Sequence, residues 1–298
     1  MKQKTLKRKL MVRLILLMSF PVFLAAQGPL DGYLKGKGVL DLVPSFSFNR
    51  ADKFFGNDNQ VYEEPYRGQL FSLFTAYGLT QRIDLVGTAA VVFNPLQSGL
   101  QDGGLFLKYR PVYKSLGQAG NLGILLGSGA MFPISRYEPV STGALGQRAV
   151  SVPVKGIVQW ETPLGPFVNI TYGYHFRVDK LSAEDISQIQ VERPDYQPIE
   201  PGNFSTLLFK VGLPTAHFYA DAWYEIQRTR TGSDYVPDLP DLAQSFRVSY
   251  TQIGGTIYYS DSGKSGFFLS GGYILGGRNV NQIQRITVGV VFKVNTQH

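Results

Sequence analysis

The sequence predicts an all-β fold, a closed antiparallel transmembrane β-barrel of about twelve strands. Three observations support it. Apolar residues alternate with polar or small ones along segments of about ten residues, turn residues separate these segments, and no apolar run of about 18 residues follows Ala26. The 298 residues, 44% hydrophobic and 13% aromatic, suffice for one such barrel.

Residues 1–27 are expected to form a cleavable signal peptide. Six basic residues precede an apolar stretch from Leu14 to Ala26, and small residues near its end suggest cleavage after Ala26 or Gln27. Residues 28–298 then form a single barrel domain, because no Pro-rich or Ser-rich linker divides them. An exported chain with this pattern is expected in the outer membrane of a Gram-negative cell.

The net charge gives no evidence for a nucleic-acid partner. Removal of the signal peptide changes the formal charge from +7 to +1, because that segment carries six basic residues and no acidic ones. The mature chain also lacks a basic stripe with interleaved aromatic residues. Since the chain has no cysteine, disulfide bonds are excluded.

Alternation with a period of two residues identifies the strands. In ITVGVVFKV, for example, Ile286 and Val288 alternate with Thr287 and Gly289. We expect twelve strands, near Gly38–Arg50, Tyr66–Gly78, Gln81–Phe93, Gly103–Tyr113, Asn121–Phe132, Ala149–Trp160, Pro166–Val178, Asn203–Gly212, Ala216–Arg228, Ser245–Tyr259, Gly266–Gly276 and Asn281–Asn295.

Short and long connections alternate along these strands. Connections after even-numbered strands are compact, as in LTQ after the second, whereas Ala51–Pro65 and Asp179–Gly202 are examples of long ones after odd-numbered strands. The connection near Gly277–Val280 is the exception in length. Outer-membrane barrels have short periplasmic turns and longer extracellular loops, so the alternation assigns the short turns to the periplasm.

Three segments carry a family resemblance: DGYLKGKGVLDL (31–42), FTAYGLTQRIDLVG (74–87) and SGLQDGGLFLKYRP (98–111). They resemble bacterial outer-membrane barrels of the family labelled with the meta-pathway of phenol degradation. The chain departs from that family's pattern at Tyr33, where a tryptophan is usual, and at Gln101, where a glycine is usual. The resemblance implies an outer-membrane channel for small, hydrophobic molecules.

Polar residues on the parity opposite to the apolar one are candidates for the lining of the lumen. A lysine or arginine facing lipid at the bilayer midplane would cost about 2–4 kcal/mol, so these residues are assigned inward. The candidates are Asp84, Lys108, Arg110, Lys155, His175, Arg177, Lys210, Asp221, Trp223, Glu225, Arg247 and Lys293.

Two interpretations of this set remain open. Its basic surplus would favour anionic or polar solutes inside an open lumen. Alternatively, the charges form an internal salt-bridge network that fills a narrow barrel. Trp223 could in addition contact an apolar ligand.

Aromatic residues are predicted to form girdles at the two membrane–water interfaces, where an amphipathic ring is favoured. The predicted girdle residues are Tyr33, Tyr77, Tyr109, Trp160, Tyr172, Tyr174, Tyr258 and Tyr273.

The leading functional hypothesis is a channel or transporter for small molecules, which are hydrophobic, aromatic or anionic. A second is a hydrolase with its site at the outer rim, using His175 as the base. A third is an occluded structural or adhesive barrel that binds through the loop Asp179–Gly202. Membrane lipid is an expected partner, no cofactor or metal is expected, and the solute and the oligomeric state stay open.

Overall fold

The computed structural model describes residues 30–56, 60–95, 97–137, 145–146, 149–178, 202–232, 247–261 and 263–296. The predicted signal peptide and nearly all of the loop Asp179–Gly202 lie outside these residues. In the described ranges, no helix is long and apolar enough to cross a membrane.

In the described ranges the fold is all-β, with twelve long strands and two short ones, β4 and β13. A single turn of 3-10 helix, Gly117–Ala119, lies between β5 and β6. The strands are β1 (Val39–Phe55), β2 (Val61–Gly78), β3 (Ile83–Phe93), β4 (Ser98–Leu100), β5 (Asp102–Ser115), β6 (Asn121–Pro133), β7 (Ser151–Glu161), β8 (Phe167–Arg177), β9 (Phe204–Pro214), β10 (Phe218–Thr229), β11 (Ser249–Tyr259), β12 (Ser265–Arg278), β13 (Val280–Asn281) and β14 (Gln284–Asn295).

The sheet closes on itself. Each long strand pairs antiparallel with its neighbours, and β1 pairs with β2 on one side and with β14 on the other. Closure leaves no row of unpaired backbone groups, which is the condition for a sheet in hydrocarbon. The predicted closed barrel of twelve strands is therefore confirmed.

The connections define two ends of the barrel. Residues 79–82, 116–120, 162–166, 215–217, 260–261 and 263–264 lie at the short-turn end, and the described parts of the other connections lie at the opposite end, the long-loop end. The prediction that Ala51–Pro65 forms a long first loop is wrong. β1 and β2 remain paired as far as Phe55 and Val61, with a register shift between Ala51 and Lys53, so most of this stretch is a hairpin.

The outer face of the barrel is apolar. On β5, Leu107 is 47% exposed, whereas the next residue, Lys108, is buried on the inner face. The same alternation holds on β14, where Ile286 is exposed and Thr287 is bound inside to the hydroxyl of Ser47 at 2.8 Å. An apolar outer face is what a lipid environment requires of a barrel.

Candidate functional site: the barrel interior

The N-terminal segment, Leu30–Lys37, runs inside the barrel. It turns back from β1 at Gly36 and Gly38, which have φ of 86° and 75°, a left-handed conformation that favours glycine. The Gly38 N–H donates to the carbonyl of Gly78 at 2.8 Å, and this bond fixes the turn to the short-turn end.

Two buried strand residues hold one side of this segment. Lys108 on β5 and Asp84 on β3 are directly opposite in register. The Nζ atom of Lys108 lies 2.6 Å from an Asp31 carboxylate oxygen and 3.6 Å from Asp84, and it also donates to the Tyr33 carbonyl. Lys108 thus bridges the wall and the segment.

A second basic residue, Lys35, ties the segment to two strands. Its backbone N–H donates to Asp84 at 3.0 Å, and its Nζ lies 2.9 Å from Asp41 on β1. Charged groups removed from water need such partners, because an unpaired buried charge is costly. Wall and segment therefore neutralise each other's charges.

The opposite wall contacts the segment mainly through rings. The Tyr33 ring packs edge-on against Phe167 of β8 and Tyr219 of β10, with centroids 5.6 Å and 6.4 Å apart. A Cβ atom at Gly32 would lie 1.8 Å from the amide oxygen of Gln159, so a larger residue there requires that side chain to move. Because the segment contacts β3 and β5 as well as β8 and β10, it crosses the lumen.

Burial and ion pairing shift the pKa values of two charged residues of this segment, Asp31 and Lys35, in opposite directions. Burial alone would raise the pKa of the Asp31 carboxyl, but the positive charges of Lys108 and Lys35 hold that pKa below its ordinary value of 3.8. Burial alone would lower the pKa of Lys35, but Asp31 and Asp41 raise it above 10.5.

One sector of the interior is apolar. Leu30 packs with Ala76, Val86 and Phe106 in a buried cluster, and Phe74 contacts its edge. These residues come from β2, β3 and β5, so the first strands present an apolar wall to the segment.

The sector from β7 to β10 is polar. Lys210 on β9 lies 3.7 Å from Asp221 on β10, and Trp223 is buried beside them on the same inward row. Lys155 and Glu225 lie on inward rows of β7 and β10 and face a cavity of about 50 Å³.

A third group lies nearer the long-loop end. The His175 ring stacks on Phe204 with centroids 4.2 Å apart, and the Arg177 guanidinium lies 5.3 Å from the same ring. Among the described residues, neither ring nitrogen of His175 has a hydrogen-bond partner. Catalysis by a hydrolase needs a nucleophile within hydrogen-bond reach of its base, and no described hydroxyl meets that condition.

Two candidates lie at the ends of strands, and a third lies at an irregularity within β5. Arg110 stacks on Tyr113 at 4.5 Å, next to a register shift on β5. Lys293 is exposed near the short-turn end of β14, and Arg247 precedes β11 at the long-loop end. These three are separated from the buried groups that hold the N-terminal segment.

Several interior residues were absent from the predicted set. Asp31, Asp41 and Asp102 add acidic groups, and Arg285 adds a basic one that donates to Asn49 at 2.7 Å. The period-two pattern could have identified Arg285, which is two residues from Thr287. Of the added acids, Asp31 pairs with the predicted Lys108, whereas Asp41 pairs with Lys35 of the segment and Asp102 accepts from the Tyr137 hydroxyl.

The predicted aromatic girdle needs two corrections. Tyr109 and Trp160 are exposed on the outer face near the short turns, as expected. Tyr33 instead lies inside the barrel, because its ring is packed between two wall aromatics. Tyr258 lies on the inward row, opposite Phe268 in register.

This closed barrel with an occupied interior defines a class of protein, the outer-membrane-type β-barrel. Among solved structures, an outer membrane channel from Pseudomonas putida F1 is similar, with a TM-score of 0.68, 14% sequence identity, and coverage of 90% of this chain and 100% of that chain. The NanC porin has a TM-score of 0.52 at 11% identity, covering 85% and 100%. No protein-family model and no curated protein matches the chain.

Proposed function

We propose that the chain is an outer-membrane channel for small polar molecules whose width is set by the N-terminal segment. The observation that carries this proposal is the way the lumen is filled. A separate segment, held by the contacts of Lys108 and Lys35, crosses a lumen whose polar sector retains a cavity. The similar structures are named as an outer membrane channel and a porin, which supports the same role.

The lining of the lumen bears on the class of solute. Charged and hydroxyl-bearing side chains from β7 to β10 favour polar solutes, because a polar interior hydrates and orients them. The family resemblance implies hydrophobic solutes, and the apolar cluster around Phe106 is the sector that would contact them. Uptake of a neutral sugar and of an uncharged aromatic solute by proteoliposomes would distinguish these two classes.

Planar-bilayer recording of the purified mature protein tests the channel itself. We expect discrete conductance steps, and larger steps after deletion of residues 30–35, because the deletion removes the side chains that cross the lumen. Asp52→Asn is the matched control, since among the described residues Asp52 pairs with exposed Arg50 and Arg67 only. Absence of steps from both the full mature protein and the deletion variant would refute the proposal.

The outer membrane is the proposed location, with the short-turn end in the periplasm. Membership of the phenol meta-pathway family stays a prediction from the N-terminal motifs. The adhesive alternative depends on the loop Asp179–Gly202, of which only Gly202 belongs to the described residues. No contact of His175 favours the hydrolase alternative.

A further inference from the structure

The cavity beside the N-terminal segment has the size of a small functional group. Its volume is about 50 Å³, which is room for a few water molecules or one carboxylate group. Leu30, Asp31 and Gly32 border it on the side of the segment. The principal polar lining on the strands consists of Lys155, Thr171, Thr206, Lys210, Trp223 and Glu225.

The acidic groups around this cavity have donors of their own. Asp31 is bound to Lys108 at 2.6 Å. Glu225 accepts hydrogen bonds from the Tyr250 hydroxyl and the Gln252 amide, both at 3.3 Å. Lys108 therefore compensates the charge of Asp31 from outside the cavity, whereas Glu225 is held by two neutral donors and keeps its negative charge.

The two lysines that line the cavity, Lys155 and Lys210, differ in whether an acidic partner is close to the ammonium group. Lys210 has the Asp221 carboxylate 3.7 Å from its Nζ. In the part of the chain that the structure describes, Lys155 has neither an ion pair within 4.0 Å nor a hydrogen bond, and the carboxylate that attracts it from beyond that distance is Glu225, on the same cavity. An ammonium group in a largely enclosed polar cavity gains most from an anion, because the low dielectric strengthens the attraction.

A second donor beside the cavity lacks an acceptor. Trp223 is only 6% exposed, and its indole N–H has no partner among the described residues. The ring lies against Gly254, where a Cβ atom would be 2.4 Å from Trp223 Cζ2. A buried donor without an acceptor is destabilising, so an acceptor within the cavity would relieve it.

We propose that this cavity is a binding site for the carboxylate group of a small solute, with the Lys155 ammonium as its main ligand and the Trp223 indole N–H beside it. The site rests on the proposed function, because it lies in the lumen that the solute would cross. Asn169, Thr171 and Thr206 offer further polar groups, and the N-terminal segment closes one side of the site.

Trp223 fluorescence tests this proposal without any transport measurement. The chain has two tryptophans, and Trp160 is on the outer face, so Trp160→Phe leaves Trp223 as the sole tryptophan, whose emission is excited selectively at wavelengths that tyrosine does not absorb. We expect a saturable change in emission on titration with sodium acetate at constant ionic strength, and none with isosteric, uncharged acetamide. Lys155→Gln should weaken acetate binding about tenfold or more, and Lys155→Arg should retain most of it.

Lys293→Gln is the matched control, because Lys293 is exposed near the short-turn end. Equal responses to acetate and acetamide, or unchanged acetate affinity in a folded Lys155→Gln variant, would overturn the site. If acetate binds but the bilayer shows no conductance, the channel is refuted and the site stands. If the bilayer shows conductance but acetate does not bind, the site is refuted and the channel stands.

Discussion

Lys108 Nζ lies 2.6 Å from the Asp31 carboxylate, across 77 residues of sequence. This contact joins the barrel wall to a segment that makes no strand pairing of its own. Asp84, 3.6 Å from the same Nζ, makes Lys108 the shared partner of two carboxylates. The position of the N-terminal segment in the lumen therefore depends strongly on one side chain.

Lys108→Met should destabilise the barrel. The substitution leaves the carboxylates of Asp31 and Asp84 without their main cation, and removal of one member of a buried charge group costs about 3–5 kcal/mol. Urea unfolding in lipid vesicles measures this loss. Lys293→Met, at an exposed position, should change the free energy of unfolding by less than about 0.5 kcal/mol. Equal effects of the two substitutions would contradict the bridging role.

The strands could be predicted because their pattern is local. Neighbours such as Leu107 and Lys108 must point to opposite faces, so alternation alone assigns one outward and the other inward. The prediction of a loop over Ala51–Pro65 is wrong because it rests on the polar residues of this stretch. A hairpin that extends beyond the membrane can carry polar residues on both faces and still pair.

The N-terminal segment could not be predicted in this way. Asp31 and Lys35 show no alternation, and their partners lie on strands distant in sequence. Tyr33 was assigned to a girdle because an amphipathic ring suits an interface, yet the same ring suits a contact with Phe167 inside a barrel. Composition does not separate these two environments.

The docking of the N-terminal segment should not depend on pH near neutrality. The pKa of Asp31 is lowered below 3.8. Its contribution to the stability of the docked segment is therefore fully present above pH 3.8 and is lost as the pH falls through the pKa of the folded state. The pKa of Lys35 is raised above 10.5. Its contribution to the stability of the docked segment is therefore fully present below pH 10.5 and is lost as the pH rises through the pKa of the folded state.

Single-channel current should therefore stay constant across neutral pH, and it should rise only at acid pH below 3.8 or at alkaline pH above 10.5, where Asp31 or Lys35 loses its charge. In Asp31→Asn the current should already be larger at neutral pH, with no further rise on the acid side from this residue. A steep change of current near neutral pH in the parent protein would contradict this assignment.

Gly78→Ala should displace the segment without removing a charge. A Cβ atom at Gly78 would lie 1.7 Å from the Gly36 carbonyl oxygen, so the backbone of the turn must move. Gly156→Ala is the matched control, because a Cβ there has no neighbour within 4 Å. Since the chain has no cysteine, Leu34→Cys provides a unique site for a membrane-impermeant maleimide. We expect the maleimide to react faster when Leu34→Cys is combined with Gly78→Ala, and at an unchanged rate when it is combined with Gly156→Ala. Equal labelling rates in the two backgrounds would exclude this steric control of the segment.

The orientation of the barrel wall toward lipid is tested by Leu107→Arg. Leu107 is 47% exposed on the outer face of β5, and an arginine facing the middle of a bilayer costs about 2–4 kcal/mol. Urea unfolding in lipid vesicles should show this loss, and the difference should shrink in detergent micelles, which admit water more readily. Leu164→Arg is the control, since Leu164 is 91% exposed in a short turn beyond the strands. If Leu107→Arg were as stable as Leu164→Arg in lipid, the outer face of β5 would not contact hydrocarbon.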